Sequence, residues 1–333
     1  MSTITSETRS AAPLPGGTSS VARIDSLPGA AACAISADRL EVRAGTFAFS
    51  ASNIGFRSGV VTAIVGPNGS GKSTLLEALF GFRRAEVTNA RILGAPAAQF
   101  MREPRQLRRL GAQLQRVEYT DSARVREILD VHRALYRRQD PIVEDALAIG
   151  ELMEKPYRGL SKGQRQRLDL FVALAHRPEL AVLDEPFTGL DRTVTRSVLD
   201  LLRGPLAGTT IVMICHAGEE LEAVDDLLWV HGGGIRYRGL KAALKHELVG
   251  EFRAFIQLDS DEQVRGARSI LSVDASVLHV TEPEPRRICA FGTAGLDRTL
   301  RTLMEEAGVS RFEFAPTDDG DLLRACTQGD LDA

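Results

Sequence analysis

Three short runs of mostly apolar residues dominate the middle of the chain: VVTAIV at 60–65, LAVLD at 180–184 and TTIVMICH at 209–216. Apolar runs that are separated by helical segments are typical of strands in a parallel sheet with both faces covered. In sheets of this kind, ligands bind beyond the carboxyl ends of the strands. We therefore expect the polar residues that follow these three runs to meet at one edge of the sheet.

The last quarter of the chain shows a different pattern, in which strand-like stretches alternate with amphipathic helical periodicity. The predicted order is strand 252–258, helix 261–271, strand 276–282, strand 286–292, helix 296–308 and strand 311–316. This order matches a small ferredoxin-like α+β sandwich. We expect it to form a separate domain at 246–333, after a larger α/β domain at 38–245.

The first 37 residues are rich in Ser, Ala, Pro, Gly and Thr and show no period. This composition predicts a disordered tail at 1–37. The AAAC stretch at 30–33 also resembles the end of a lipoprotein signal. Arg23 and Asp25 lie where the apolar region of such a signal should be, so we do not favour a signal peptide.

Composition and charge narrow the function classes. The chain has 333 residues and a formal net charge of -3, which does not suggest affinity for nucleic acid or anionic lipid. Its four cysteines (Cys33, Cys215, Cys289 and Cys326) are far apart and form no metal-type pair, as in reduced cytosolic proteins. No apolar run in the sequence approaches the ~18 residues that a membrane span requires.

The first apolar run is followed by GPNGSGKST at 66–74 and then by a helical segment. Gly66 and Gly71 let the backbone curl so that successive N–H groups point at one anion, and the helix start adds the positive end of its dipole. We expect Lys72 to reach the β- and γ-phosphates of a nucleotide and the Ser73 hydroxyl to bind Mg²⁺. The strand before and the helix after favour this over a surface turn. The other predicted members of the loop are Pro67, Asn68, Gly69, Ser70 and Thr74.

The second apolar run ends in an acidic pair. Asp184 comes at the end of the predicted strand, where its carboxylate could hold Mg²⁺ through water. Glu185 follows at once and could polarise a water that attacks the γ-phosphate. Taken alone, an acidic pair at a strand end is as readily a solvated cap, so the neighbouring motifs have to decide.

A predicted helix lies just upstream, in GLSKGQRQRLDLFVALAHRP at 159–178. Ser161 and Gln164 fit a capping box at its start, and apolar residues follow with helical spacing. An ordinary capped core helix would show the same pattern. The alternative is a second anion site built from Ser161 and Gly163. Because the loop at 66–74 already has its own helix start, this second site would be free to bind a phosphate presented by another molecule.

Taken in order, these motifs resemble the ATP-binding subunit of ABC transporters over about residues 38–245. The matching stretches are Walker A (GPNGSGKST), the signature (LSKGQ, 160–164), Walker B (LAVLDE, 180–185) and the D-loop (GLD, 189–191). The resemblance implies an α/β P-loop core with a mostly parallel sheet, added antiparallel strands and a helical subdomain at about 116–162. It also implies that His216 is the switch histidine, and that Gln115 couples Mg²⁺ to the helical subdomain.

The resemblance further implies a mechanism with ATP and Mg²⁺ as cofactors. Two such subunits, identical or different, close head to tail around ATP, which lies between Walker A of one and the signature of the other. The signature residues acting on the partner's nucleotide would be Ser161, Lys162, Gly163 and Gln164. Mg²⁺ would be held by Ser73, Gln115 and Asp184, while Glu185 activates water and His216 stabilises the transition-state charge. A separate permease would use this cycle and hold the subunit at the cytoplasmic face of the cell membrane.

Two positions depart from the family pattern. Lys162 stands where the signature usually has Gly, and we expect its side chain to point to solvent, because Gly163 still permits close backbone approach. The aromatic residue that stacks on adenine has two possible counterparts in alignment, Ala44 and Phe47. Phe47 could stack on adenine or be an ordinary core residue.

The direction of transport and the partner surface rest on resemblance. The small C-terminal extension and the LGAQLQ stretch at 110–115 resemble ABC-2 exporters, which favours export. The segment from Gln115 to Arg126 is expected to face the permease. The alternatives are a soluble non-transport ABC ATPase and an ATP-gated regulator. A single P-loop without heptads argues against the first, and the presence of Glu185 argues against the second.

Overall fold

A computed structural model describes residues 32–114, 119–309 and 311–327 of the chain. The strands of this part are β1 (Cys33–Ala44), β2 (Phe47–Arg57), β3 (Val61–Val65), β4 (Glu86–Thr88), β5 (Arg91–Ile92), β6 (Ala95–Pro96), β7 (Leu110–Gln113), β8 (Leu180–Leu183), β9 (Thr210–Ile214), β10 (Asp226–His231), β11 (Gly234–Leu240), β12 (Phe252–Gln257), β13 (Val277–Glu284), β14 (Arg287–Gly292) and β15 (Arg311–Pro316).

The helices of the same residues are α1 (Lys72–Leu79), α2 (Ala97–Phe100), α3 (Pro104–Leu107), α4 (Val125–Tyr136), α5 (Pro141–Ala146), α6 (Lys162–Leu174), α7 (Arg192–Arg203), α8 (Lys241–Leu248), α9 (Asp261–Val273), α10 (Leu296–Glu306) and α11 (Asp319–Thr327). Short 3-10 turns occur at Ile149–Leu152, Tyr157–Gly159 and Gly218–Ala223. Within the described ranges, no helix is both long enough and apolar enough to cross a lipid bilayer.

The central sheet has the strand order β11-β10-β3-β9-β8-β7. All neighbours are parallel except the β10–β11 pair at one edge. Every residue of β3, β8 and β9 is buried, which explains why these strands appear as unbroken apolar runs. The predicted mostly parallel sheet is thereby confirmed, and the carboxyl ends of its three apolar strands lie side by side.

A second, antiparallel sheet covers α1. Its order is β2-β1-β5-β6, with β4 also paired to β1. Leu40 of β1 and Ile54 of β2 are fully buried in one apolar cluster with Leu75 and Leu76 of α1. This packing holds the helix that follows the glycine-rich loop against the sheet.

The predicted tail at 1–37 is too long at its C-terminal end. Residues 1–31 lie outside the described part of the chain, but Cys33 already begins β1. Cys33 pairs with Arg57, and Ile35 pairs with both Phe56 and Ile92. The small apolar residues of CAISA have no helical period because they form a buried strand, which composition alone does not distinguish from a linker.

The C-terminal sheet has the order β13-β14-β12-β15 and is antiparallel throughout. Helices α9 and α10 cover one face, where Ile256, Ile288, Leu271 and Leu300 form a separate apolar core. The observed order β12-α9-β13-β14-α10-β15 agrees with the predicted ferredoxin-like arrangement.

The predicted boundary between 245 and 246 needs correction, because it falls inside α8. The chain also returns to the ATPase core after β15, in helix α11, which was not predicted. Leu322 and Cys326 of α11 are fully buried in the core beneath the central sheet. Trp229 Nε1 of β10 donates a hydrogen bond to the Cys326 carbonyl at 2.8 Å. The last helix therefore belongs to the first domain by packing and to the second by sequence position.

A cluster of aromatic and imidazole rings lies between α4, the turn after α6 and β7. Tyr136 stacks on His176 with ring centroids 4.0 Å apart, and the His132 ring lies 5.6 Å from the same imidazole. His176 Nε2 is 3.2 Å from the carbonyl oxygen of Leu110. Burial lowers the pKa of His176 to about 4 and also lowers the pKa of His132. His176 is therefore neutral in the folded protein at neutral pH.

We expect acid to destabilise the protein through His176. An unfolded histidine titrates near ~6.5, so between this pH and about 4 the unfolded state binds more protons than the folded state. The free energy of unfolding therefore falls as the pH falls through this window, by about 2 kcal/mol between pH 7 and pH 5. Urea unfolding would measure the free energy of unfolding at the two pH values. In the His176→Phe variant, the difference between them should be smaller than in wild type by about 2 kcal/mol.

His246 provides the control, because it is exposed on α8. The His246→Phe variant is expected to keep the wild-type pH dependence. An unchanged pH dependence of stability in His176→Phe would show that this buried imidazole does not cause the loss of stability in acid.

Candidate nucleotide-binding site

The glycine-rich loop connects β3 to α1 and has a backbone that only glycine adopts easily. The φ angles of Gly66, Gly69 and Gly71 are 145°, 77° and 109°. A Cβ on Gly66 would lie 1.9 Å from the Val230 carbonyl oxygen of β10. The N-cap of α1 is Gly71, which has no side chain to bond the first-turn N–H groups. These donors are therefore left for an anion.

The ammonium group of Lys72 lies beneath this loop. Lys72 is buried, and its Nζ donates hydrogen bonds of 2.9 Å to the carbonyl oxygens of Gly66 and Pro67. Burial lowers the pKa of Lys72, an effect that the carboxylates of Glu185 and Asp184 partly oppose. The ammonium group can exchange its hydrogen bonds to these neutral carbonyl groups for phosphate oxygens without being desolvated again.

A hydroxyl and a carboxylate meet beside the loop, at the end of β8. Ser73 donates a hydrogen bond to the carboxylate of Asp184, and burial raises the pKa of Asp184. The Oδ1 atom of Asp184 is buried and has no hydrogen-bond partner among the described residues. Hard oxygen ligands of this kind, next to a polyphosphate loop, fit Mg²⁺. The buried, unpaired oxygen is the observation that supports this fit.

Glu185 is the next residue and has an unusual backbone conformation. Its φ of 52° lies in the left-handed region, which only a few per cent of non-glycine residues occupy. Its Oε1 is 3.0 Å from His216 Nε2, and its Oε2 accepts a hydrogen bond of 3.2 Å from Thr188 Oγ1. The side chains of Glu185 and His216 are 48% and 35% exposed, so both remain accessible to water.

His216 is held by its main chain as well. Its N–H donates a hydrogen bond of 2.7 Å to the carboxylate of Glu220, which lies in the 3-10 turn that follows. Burial raises the pKa of Glu220. The contributions of Thr188 and Glu220 were not predicted. Thr188 lies three residues after Glu185, and Glu220 lies four residues after His216. Outside a regular helix, such spacings do not predict a contact from the sequence.

The start of α6 has the predicted capping box. Ser161 is the N-cap, its N–H donates to Gln164 Oε1 at 3.2 Å, and Gln164 N–H donates to Ser161 Oγ at 3.3 Å. A Cβ on Gly163 would lie 2.4 Å from the Gly189 carbonyl oxygen, so this glycine packs directly on the GLD loop. Lys162 is exposed, as expected, although its aliphatic stem lies against Gly189.

The residues described so far have the same order and arrangement in a known family. A family model described as ABC transporter matches residues 49–188, which include the glycine-rich loop, the start of α6 and the acidic pair. Residues 49–188 of the chain thus belong to the ABC transporter family. The resemblance to ABC transporter ATP-binding subunits that the sequence motifs indicated is thereby confirmed.

Curated relatives of this chain include subunits named for opposite transport directions. It is 33% identical over 206 residues to Nod factor export ATP-binding protein I of Rhizobium leguminosarum bv. viciae, covering 58% of this chain and 64% of that protein. It is 29% identical over 298 residues to the sulfate/thiosulfate import ATP-binding protein CysA of Mycobacterium tuberculosis, covering 83% and 81% of the two chains. The chain thus spans less than two thirds of the first of these relatives.

Solved structures show the same fold. An ATP-binding subunit of an ABC transporter superimposes with a TM-score of 0.57 at 20% identity, covering 64% of this chain and 92% of that one. CbiO1 from Clostridium perfringens, which is described as part of the ABC transporter complex cbiONQ, gives a TM-score of 0.52 at 22% identity, covering 65% and 91%. The ABC ATPase fold predicted from the motifs is thereby confirmed.

Two side chains expected from the family pattern have different outcomes. Phe47 is half-buried at the start of β2, and its ring lies beside the Walker A loop, 3.1 Å from the place of a Cβ on Gly71. Gln115 lies outside the described residues. Just before it, β7 is tied to Walker B, because Gln113 Nε2 donates to the Asp184 carbonyl at 3.1 Å and Asp184 N–H donates to the Gln113 carbonyl at 2.7 Å.

Helix α6, which begins at the predicted signature, is also tied to the loop that follows β8. Gln166 of α6 donates through Nε2 to the carbonyl oxygens of Pro186 at 2.8 Å and Glu185 at 3.2 Å. Sequence reasoning missed this residue, because its partners are twenty positions away on a loop. The contact links the position of the signature helix to the backbone that carries Glu185.

Proposed function

We propose that this chain binds and hydrolyses ATP with Mg²⁺ and that the cycle drives a separate membrane permease. The observation that carries this proposal is the meeting of three groups at the carboxyl edge of the central sheet. These are Lys72 with its glycine-rich loop, the Ser73–Asp184 pair, and the Glu185–His216 pair. They supply phosphate binding, metal binding and proton transfer at one place.

In this scheme the residues of the chain act in sequence on bound ATP. The N–H groups of the Walker A loop and Lys72 Nζ bind the β- and γ-phosphates, and Phe47 stacks on the adenine. Ser73, Asp184 and Gln115 would hold Mg²⁺, which would supply positive charge to offset the charge that develops on the phosphates. Glu185 accepts a proton from the attacking water, and His216 stabilises the charge on the transferred phosphoryl group.

The second half of the site comes from another ATP-binding subunit. The first turn of α6 uses the Ser161 hydroxyl to bond the Gln164 N–H, while Ser161 and Lys162 themselves are exposed. The thirteen-residue helix has no acidic residue in its first turn. A positive helix end without an acidic partner supports binding of a γ-phosphate presented by the neighbouring subunit. We propose that Ser161, Lys162, Gly163 and Gln164 act in trans in this way.

We also propose that the transport direction is export and that the chain lies at the cytoplasmic face of the membrane through its permease. The similarity to Nod factor export proteins and the ferredoxin-like extension support export. The segment from Gln115 to Arg126 is the proposed permease contact.

A photocrosslinker at Arg126, whose side chain is 52% exposed, should react with permease loops. One at Arg268, which is 48% exposed on α9, should not.

Replacing Lys72 with Ala should weaken MgATP binding by about 10- to 100-fold, because charged hydrogen bonds to the phosphates are lost. Isothermal titration calorimetry would measure the change. Lys155→Ala is the matched control, because Lys155 is exposed and lies away from the loop. Equal affinities in the two variants would contradict the proposed role of Lys72.

A further inference from the structure

Strand β15 is an open and aromatic edge of the C-terminal sheet. In the described part of the chain it pairs only with β12. Phe312 and Phe314 on this strand are 42% and 38% exposed, and Phe314 stacks on Phe252 with ring centroids 5.0 Å apart. Exposed apolar edge strands tend to pair with another chain unless the sequence prevents it.

The opposite edge of the same sheet has features that prevent pairing. Strand β13 has register shifts between Val277 and His279 and between Thr281 and Glu284. It also contains Pro283, which has no N–H to donate. Strand β15 pairs with β12 in one continuous register, and its proline comes only at the last residue, Pro316. The two edges of this sheet are thus unequal, and β15 is the one able to accept a strand.

The hydrogen-bonding direction of each residue in β15 follows from its pairing with β12. Thr317 N–H donates to the Glu251 carbonyl at 2.9 Å. In an antiparallel pair, every second residue of a strand bonds to the neighbouring strand through its backbone. The N–H and C=O groups of the odd-numbered residues of β15 therefore point toward β12. The N–H and C=O groups of Phe312 and Phe314 therefore point away from β12, toward the open edge.

The side chains alternate in the same way. Phe312 and Phe314 lie opposite Ile256 and Ala254, on the face covered by α9 and α10. Arg311 and Glu313 lie on the other face, and neither forms an ion pair within the described residues. The edge therefore presents two free backbone positions, two aromatic rings and one charge of each sign.

We propose that β15 pairs antiparallel with β15 of a second copy of this chain and makes one continuous eight-stranded sheet. In the proposed register, Phe312 lies opposite Phe312 of the partner subunit as a hydrogen-bonded pair. Arg311 then lies opposite the partner's Glu313 in the non-hydrogen-bonded position, where side chains are closest. The two-fold symmetry repeats this ion pair on the other side.

The charges select this register over its neighbour. Shifting the centre of the pairing by one residue, from Phe312 to Glu313, would place Glu313 directly opposite the partner's Glu313, which is repulsive. The proposed register instead makes two opposite-charge pairs. The pairing goes beyond the ATP-dependent contact proposed above and requires no nucleotide. Both contacts are two-fold symmetric, so one dimer contains both when the axes coincide.

Charge exchange on β15 tests the proposal. Sedimentation equilibrium of the full chain without nucleotide should show a dimer. The Glu313→Arg and Arg311→Glu variants should each dissociate about 10- to 100-fold more readily, because both ion pairs become repulsive. The double variant Arg311→Glu with Glu313→Arg should return to the wild-type dissociation constant, since the opposite charges face each other again.

Disulfide cross-linking tests the register without relying on the strength of the ion pairs. Phe312→Cys should give a covalent dimer under mild oxidation, whereas Leu278→Cys, on the opposite edge and 43% exposed, should not. The native cysteines are all buried and do not compete. The proposal would be overturned if the wild-type chain is monomeric or if Glu313→Arg leaves the dissociation constant of the dimer unchanged. Equal cross-linking of Phe312→Cys and Leu278→Cys would overturn it as well.

Discussion

The Glu185→Gln variant is expected to hydrolyse ATP about 10²- to 10⁴-fold more slowly than the wild-type chain, which is the usual loss when a general base is removed. Its affinity for MgATP should stay close to that of wild type, because Lys72, Ser73 and the loop N–H groups are unchanged. Glu185 is the proposed general base because its Oε1 lies 3.0 Å from His216 Nε2 and its side chain is accessible to water. Phosphate release under saturating MgATP would measure the rate.

The control for this variant is Glu219→Gln. Glu219 is an exposed carboxylate three residues after His216, and it does not contact Glu185. Its replacement should leave the hydrolysis rate within a factor of about two, as is usual for surface positions. Hydrolysis by Glu185→Gln at the wild-type rate would remove Glu185 from the proposed chemistry.

The Asp321→Ala variant is expected to lose about 3–5 kcal/mol of stability, because a buried charge pair loses one partner. The Asp321 side chain is fully buried, and it accepts hydrogen bonds from Arg253 Nη1 at 2.5 Å and from the Asp318 N–H at 2.9 Å. Arg253 lies on β12 of the C-terminal sheet, whereas α11 packs on the ATPase core. Removing this carboxylate leaves the guanidinium of Arg253, which is 17% exposed, without its buried partner.

The single tryptophan of the chain reports on this change. Trp229 is buried and bonded to the Cys326 carbonyl of α11, so its fluorescence should follow the release of that helix during urea unfolding. Asp318→Ala is the matched control, because Asp318 contacts the same Arg253 but is 58% exposed. It should cost about 0.5–2 kcal/mol, because Asp318 Oδ1 also accepts a cap hydrogen bond of 2.9 Å from the Asp321 N–H. Equal losses in the two variants would show that burial of Asp321 is unimportant.

The parts of the site that are local in sequence could be predicted. The glycine-rich loop and the Ser161–Gln164 capping box each lie within nine residues, and each is defined by backbone geometry that few residue types permit. The strands β3, β8 and β9 were predictable because both of their faces are buried. The same reasoning placed Asp184 and His216 at one edge of the sheet.

The parts that depend on distant contacts could not be predicted. Gln166 bonds to carbonyl groups twenty residues away, and Gly163 is needed because the Gly189 carbonyl lies against it. Neither partner can be identified from spacing. Helix α11 was missed for a similar reason. Its apolar residues are few, and their burial depends on Trp229 and on the 3-10 turn after His216, where Gly218 and Gly320 touch.

The proposal that ATP is held between two subunits is tested most directly by mixing two defective chains. Lys72→Ala removes the phosphate-binding cation of one half-site, and Ser161→Arg blocks the other half-site while leaving Walker A intact. Each variant alone should be almost inactive. A mixed dimer, isolated through two different affinity tags, contains one intact composite site and should hydrolyse ATP at roughly half the wild-type rate per dimer. A mixed dimer no more active than its parents would contradict a site shared between two chains.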